Sequence, residues 1–261
     1  MTERYFAVEG IHDLRVEIKK IRALFRFIEQ LKPSFESGPL LDKMRQLFRT
    51  AGKMRDIDIQ QGIIQKEITR LDVSELINYL KHQELKGRPK LEKLCDDFDN
   101  HILMGNLKRM RAAMGNVSAA ELQAPMRSIL EKHAHDLIKV ANKTRPTNDD
   151  LHTIRKSSKS LRYELDIWQH CYGGSPKITS LRNKLTTIFD HLGEWRDNML
   201  TLSTLDSFLK NDAPPQLFDR TSYIKMRQKL RTQGQNLLKE YRKAWQLVYP
   251  ELRNIGRPAG D

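Results

Sequence analysis

Apolar residues recur three and four positions apart along nearly the whole chain, the signature of amphipathic helices. Ile11, Leu14, Ile18, Ile21, Phe25 and Ile28 mark one face of a first helix that ends near Lys32-Pro33. A second run starts near Leu40 and passes through Met44, Leu47, Phe48 and Met54, and Gly52 inside it predicts a bend or break. Further helices are expected over about 57–70, 73–85, 90–113 and 120–143, with connections at Lys86-Gly87-Arg88-Pro89 and Gly115-Asn116. Pro146 then bars continuation, and Thr147, Asn148 and Asp149 offer caps to a new helix bearing Leu151, Ile154, Leu161, Leu165 and Trp168. Tyr172-Gly173-Gly174-Ser175-Pro176 closes that helix. Later helices are expected over about 177–191, 195–210 and 219–249, with a break at Ala213-Pro214-Pro215 and a loose tail over 250–261.

Composition supports an all-helical reading, since only 13 glycines and 10 prolines interrupt 261 residues. A chain of this length can bury a proper core. The 46 Lys and Arg outnumber the 33 Asp and Glu, leaving a net charge of +13 and pointing to an anionic partner without choosing among nucleic acid, membrane surface and polyphosphate. Cys95 and Cys171 are too few for a disulfide framework and lack metal-ligand spacing, which fits a reducing, cytoplasmic setting. The opening MTERYFAVEG carries Glu3, Arg4 and Glu9 and no secretory apolar stretch, and nothing later reads as a membrane span.

The chain repeats itself. IHDLRVEIKKIRALF and LHTIRKSSKSLRYEL align without gaps at an offset of 140 residues, matching His12, Arg15, Lys19 and Arg22 to His152, Arg155, Lys159 and Arg162. A second block aligns at an offset of 141, placing Phe48 to Asp56 on Phe189 to Asp197. Two ordered blocks at nearly one offset divide the chain into halves of about 8–143 and 148–249.

On a helix turning roughly 100° per residue, His12, Arg15, Lys19, Arg22 and Arg26 fall on one stripe beside the apolar face, running about 21 Å. A merely solvated face could exchange Lys, Arg, Gln and Glu freely, yet both copies keep His, Arg, Lys and Arg in order. Such a stripe suits an extended polyanion: Arg grips phosphate oxygens in pairs, Lys adds a mobile charge, and His adds a charge that an anion favours at mildly acidic pH. The alternative is structural pairing of the arginines with buried acids such as Asp56, Asp58 or Asp197.

These blocks resemble the CHAD family, the conserved-histidine α-helical domain. His12-x-x-Arg15-Val16-x-x-Lys19-Lys20-x-Arg22 is similar to its first motif, and Gly52-Lys53-Met54-Arg55-Asp56 to its Leu-Gly-x-x-Arg-Asp element. His152-x-x-Arg155-Lys156-x-x-Lys159-x-x-Arg162-Tyr163 and Leu192-Gly193-Glu194-Trp195-Arg196-Asp197 resemble the second-half counterparts. The resemblance spans roughly residues 8–249 and includes no attached triphosphatase domain. It implies an all-α fold of two antiparallel four-helix bundles with pseudo-twofold internal symmetry around a basic central cavity. It also implies non-catalytic binding of inorganic polyphosphate and association with polyphosphate granules. Carried over, the polyphosphate-binding set is His12, Arg15, Lys19, Arg22, His152, Arg155, Lys159 and Arg162, extended by Arg26, Arg49 and Lys53. Ala51 stands where the family carries Leu, and Asp166 and Asp190 occupy the positions of Arg26 and Arg49, so the two halves are expected to be unequally basic.

Other chemistry is set aside on the residues. No GxxxxGK[ST] phosphate loop occurs, and Asp56 with Asp58 reads as a helix cap with an Arg partner rather than a magnesium site. His82, His101, His133 and His135 lack zinc-site spacing and read as surface or boundary residues, and Cys171 reads as a buried structural thiol. The basic, aromatic-bearing final helix could suggest RNA, but Met226, Leu230, Tyr241, Ala244, Trp245 and Val248 at helical spacing read more simply as core. No catalytic residue, metal, cofactor or membrane partner is therefore expected. The rival functions are a phosphate-processing enzyme or its accessory subunit, and a general nucleic-acid binder.

Overall fold

The structure, a computed structural model, describes residues 8–67, 71–213 and 220–255. Among the described residues there are eight α-helices and no strand: α1 Val8–Leu31, α2 Gly38–Gln65, α3 Ser74–Asp96, α4 Asn100–Met114, α5 Ala119–Ala141, α6 Asn148–Tyr172, α7 Pro176–Asn211 and α8 Arg220–Arg253. Eight is the number that paired four-helix bundles require. Each long helix buries a seam stepping by three and four, as α6 does with Leu151, Ile154, Ser158, Leu161, Leu165 and Trp168. No described helix is long and apolar enough to cross a membrane.

Three expected interruptions are absent. Gly52 does not break α2, because Met44, Leu47, Ala51 and Met54 form one buried seam through it. Gly193 likewise lies inside α7, between buried Leu192 and Trp195. Packing of that kind outweighs the roughly 1 kcal/mol that an interior glycine costs. The expected connection at 86–89 is also helical, with Gly87 and Pro89 inside α3 between buried Leu80 and Leu91. Gly87 admits a close neighbour there: an added Cβ would sit 2.6 Å from the Met54 sulfur. The real connection follows at Asp97-Phe98-Asp99, where Asp99 accepts the His101 N–H at 2.7 Å, so the helix expected over 90–113 is two.

Where caps are present, boundaries fall as read. Ser118 and Glu121 form a capping box at α5, and Thr147 and Asp150 another at α6. Gly173, with φ 80°, ends α6 in a conformation that favours glycine. α8 runs past the expected end at 249 to Arg253, because Leu252 is buried and extends the seam. Residues 214–219 and 256–261, which include Pro214-Pro215 and the second half of the expected tail, lie outside the described residues.

The chain forms two compact units that cut across the two repeat halves. Unit 1 comprises residues 1–19, 38–102 and 195–236, and unit 2 comprises 20–37, 103–194 and 237–261. In unit 1, Ile64, Val73, Leu76 and Leu80 share a buried cluster with Leu202, Leu205, Phe208, Tyr223, Met226 and Leu230. The helices alternate in direction: Gln61 meets Glu84 and Met54 meets Gly87 across α2 and α3, while Asn198 meets Gln233 and Asp206 meets Arg227 across α7 and α8. Beside α3, burial first and the Glu84 charge second push Asp58 up to about 6, although Arg88 and Arg55 pull the other way. One Asp58 carboxylate oxygen, Oδ2, is buried without a hydrogen-bond partner among the described residues.

In unit 2, α5 and α6 pack antiparallel, with the Tyr172 hydroxyl donating to the Ala119 carbonyl at 2.8 Å. Tyr172 thus continues the α6 seam into the last turn and leaves Cys171 exposed, correcting the expectation of a buried thiol. Tyr241, Ala244 and Val248 are buried, and Trp245 donates its indole N–H to Asn142 at 3.1 Å, so these aromatics are packed rather than displayed. His133 is no ordinary surface histidine. Its Nδ1 lies 2.8 Å from the carboxylate of Glu164, which is 7 % exposed, and that hydrogen bond raises the His133 pKa above 6.5 against the cost of burial.

Two outcomes follow for stability. A histidine whose folded-state pKa is raised contributes fully below pH 6.5 and loses that contribution as pH rises through the raised value. His133→Gln should therefore lower the melting temperature by a few degrees at pH 6, with a smaller deficit at pH 9, by calorimetry. Asp58 behaves oppositely, because its ionised form is the disfavoured one in the folded state. Asp58→Asn should raise the melting temperature at pH 8, and the advantage should shrink as pH falls below about 6 toward 3.8.

Candidate functional site

The two basic stripes sit on α1 and α6, and their burial patterns repeat as their sequences do. Ile11 and Leu151 are buried, His12 and His152 are exposed, Lys19 and Lys159 are half-buried, and Arg22 and Arg162 are half-buried. The stripe therefore borders the core in both copies, with each histidine in solvent. The structure divides the expected residues between units: His12, Arg15, Lys19, Arg49 and Lys53 belong to unit 1, and Arg22, Arg26, His152, Arg155, Lys159 and Arg162 to unit 2.

In unit 1, Arg15 is 9 % exposed, the most buried of the set. Its guanidinium carbon stands 4.2 Å from the Phe48 ring centre on α2, and Nη1 donates to the Phe48 carbonyl at 2.7 Å. The same guanidinium covers Gly52, one turn along α2; a Cβ there would collide with Nη1 and lie 3.3 Å from Cζ. Lys19 reaches the same ring at 5.7 Å. A desolvated stack of this kind contributes on the order of 1–2 kcal/mol, and a hydrogen bond from a charged donor about 1.5–3 kcal/mol. Those gains offset the removal of the charge from water. Arg49 and Lys53, on the outer face of the same two turns of α2, are exposed.

Unit 2 repeats the arrangement. Arg155 lies 4.7 Å from the Phe189 ring centre on α7 and against Gly193, while Lys159 approaches that ring at 4.8 Å. Tyr163 adds a second aromatic surface, with Arg162 at 4.6 Å and Lys159 at 5.6 Å from its centre. Burial raises the Tyr163 pKa, and the charges of Arg162 and of Lys20 on α1 oppose that rise. Lys20 of α1 and Arg162 of α6 are thus both near enough to Tyr163 for their charges to act on it. Arg26 is exposed. Asp166, standing where the first copy has Arg26, forms an ion pair with Arg182, and Asp190 and Glu194 are exposed where the first copy has Arg49 and Lys53. Around the Phe-to-Gly segments, unit 1 therefore presents cations and unit 2 presents carboxylates.

The Arg-Asp elements are not helix caps, since Asp56 and Asp58 are interior to α2. Arg196 links them across the repeat, reaching Asp56 at 3.4 Å and its own neighbour Asp197 at 3.5 Å. Asp56 and Asp197, two of the acids weighed as partners of the stripe arginines, thus lie against Arg196, while Asp58 stands within the charge influence of Arg88 and Arg55. Among the described residues no cluster of three or more His, Cys, Asp and Glu is placed to hold a metal ion. A cleft of about 610 Å³ in unit 2 lies between Glu131, His135 and Ile138 of α5 and Tyr249, Leu252 and Arg253 of α8, and no motif residue lines it.

Sequence reasoning missed Phe48, Phe189, Gly52 and Gly193 as the seats of the arginines, although all four lie in the second repeated block. Their signal is the pairing of the two blocks: a Phe and a Gly four residues apart in each copy, waiting for a long side chain. Lys20 and Tyr163 stand inside the quoted motifs, but the repeat does not single them out, because the aligned positions hold Ser160 and Ala23.

Comparison with known proteins bears on the fold and the family. Curated protein sequences contain no match. Among solved structures, the crystal structure of the CHAD domain from the plant Ricinus communis superposes with a TM-score of 0.66 at 19 % identity, covering 94 % of this chain and 81 % of that one. At that identity the likeness establishes the fold alone. The family model for the CHAD domain matches residues 3–206, more than half of the chain, and the protein accordingly belongs to the CHAD family.

Proposed function

We propose that this protein binds inorganic polyphosphate without catalysing its turnover, and that it does so along the basic stripes of α1 and α6. The observation that carries this reading is the duplicated stripe, in which histidine stays in solvent and lysine lies half-buried at the same positions of both copies. A linear polyanion needs a row of cations at roughly one per helical turn rather than a closed pocket, and the row supplies it. The net charge of +13 adds long-range attraction. In unit 1 the ligand-facing groups are His12, Lys19, Arg49 and Lys53, and in unit 2 they are His152, Lys159, Arg162, Arg22 and Arg26. Such a protein would work at polyphosphate granules in the cytoplasm.

Titrating the protein with polyphosphate, single-stranded RNA and duplex DNA at matched charge and salt tests this directly. Polyphosphate should bind most tightly, and its lead should persist at raised salt, where nonspecific charge attraction fades. Lys19→Glu with Lys53→Glu, and separately Lys159→Glu with Arg162→Glu, should each weaken polyphosphate binding at least tenfold while leaving the helical circular dichroism intact. Equal affinity for the three polymers would make the protein a general nucleic-acid binder, and orthophosphate release with Mg²⁺ would make it an enzyme.

A further inference from the structure

We infer that Arg15 and Arg155 do not touch the polyanion and are positioning residues, each locking a stripe helix to its neighbour by seating a guanidinium on a Phe ring above a glycine. This inference rests on the proposed binding role for its functional half and on the geometry alone for the lock. The seat has the same parts twice: Arg15 with Phe48 and Gly52 in unit 1, and Arg155 with Phe189 and Gly193 in unit 2. Arg15 is 9 % exposed and already donates to the Phe48 carbonyl at 2.7 Å, so its charge is engaged inward. Lys19 and Lys159 share the same two rings, at 5.7 and 4.8 Å. A guanidinium stacks flat on an aromatic face and forms directed hydrogen bonds, whereas a lysine ammonium on its flexible stem can lean on the ring's edge and still reach outward. The ring is the common support: Arg fixes it to the stripe helix, and Lys takes its direction from it.

The glycine identifies the lock, because the two copies differ in how closely the arginine lies. At Gly52 a Cβ would collide with Arg15 Nη1, while at Gly193 it would stand 3.6 and 3.7 Å from Arg155 Nε and Nη2, ordinary contact distances. Alanine is the better helix former, so its own preference favours both substitutions. Gly193→Ala should therefore leave the melting temperature unchanged or raise it, whereas Gly52→Ala should lower it by several degrees. In an Arg15→Ala background Gly52→Ala should no longer be harmful, since the obstructing group is gone. An equal effect of Gly52→Ala with and without Arg15 would overturn the lock, as would equal destabilisation at the two glycines, a comparison that stands even if Arg15→Ala does not fold.

The positioning role is read from salt dependence. For each phosphate that a variant no longer neutralises, the slope of log affinity against log salt should fall by about 0.7–0.9, the value for strand-like polyanions. Lys159→Gln should lower the slope in this way. Arg155→Gln and Gly52→Ala should weaken polyphosphate binding severalfold with the slope retained, because the charges that meet the polymer remain but are held less well. A slope that falls for Arg155→Gln as it does for Lys159→Gln would make Arg155 a direct ligand of the polymer, and unchanged affinity would make it purely structural; either defeats the inference. If the unaltered protein binds no polyphosphate, the functional reading and the positioning role fail together, and the thermal comparison still decides the lock.

Discussion

The seat of an arginine on a phenylalanine over a glycine is the contact around which both stripes are organised. A guanidinium can leave water only where its charge and its hydrogen-bonding edge are both met. At Arg15 the Phe48 ring meets the face, the Phe48 carbonyl meets the edge at Nη1, and Gly52 provides the space that any other residue would fill. The stripe's register against its neighbouring helix follows from this. With Arg15 fixed, His12 one turn earlier is exposed and Lys19 one turn later sits over the same ring. The second copy repeats the ring and the glycine, with Arg155 farther from both.

Helical periodicity made most of the fold legible in the sequence. The seams of α1, α5 and α6, the capping box at Thr147 and the packed face of α8 all follow from apolar spacing and cap chemistry. What local rules misjudged were residues whose role depends on a distant partner. Gly52 and Gly193 signal helix breaks by propensity, yet each is interior to a long helix, on a buried seam and beneath an arginine 37 or 38 residues away in sequence. Gly87 and Pro89 have the composition of a connection, and the buried Leu80 and Leu91 on either side carry α3 through them. His133 gives no local signal because Glu164 is 31 residues away.

The site was legible as a set of residue types and less so as a set of roles. Repetition identified His, Arg, Lys and Arg, and exposure then separates them: histidines outside, lysines between, and Arg15 almost wholly inside. No helical wheel distinguishes these cases, since all five stripe positions share one angular sector. The unequal charge of the two copies was visible from Asp166 and Asp190, and the structure adds that Asp166 is engaged with Arg182 while Asp190 and Glu194 face solvent.

The composition of unit 1 bears on how the chain is made. Its buried cluster takes Leu76 and Leu80 from α3, Leu205 and Phe208 from α7 and Tyr223, Met226 and Leu230 from α8. Between the second and third segments of that unit lie residues 103–194, which belong to unit 2. During synthesis from the N-terminus, α2 and α3 emerge from the ribosome with half of their core missing, and at roughly 5–20 residues per second the rest follows only many seconds later. For that interval Ile64, Leu76 and Leu80 lack the part of their apolar cover that Leu205, Phe208, Tyr223, Met226 and Leu230 supply. The nascent chain therefore carries α2 and α3 with one side of their shared core open until α7 and α8 arrive.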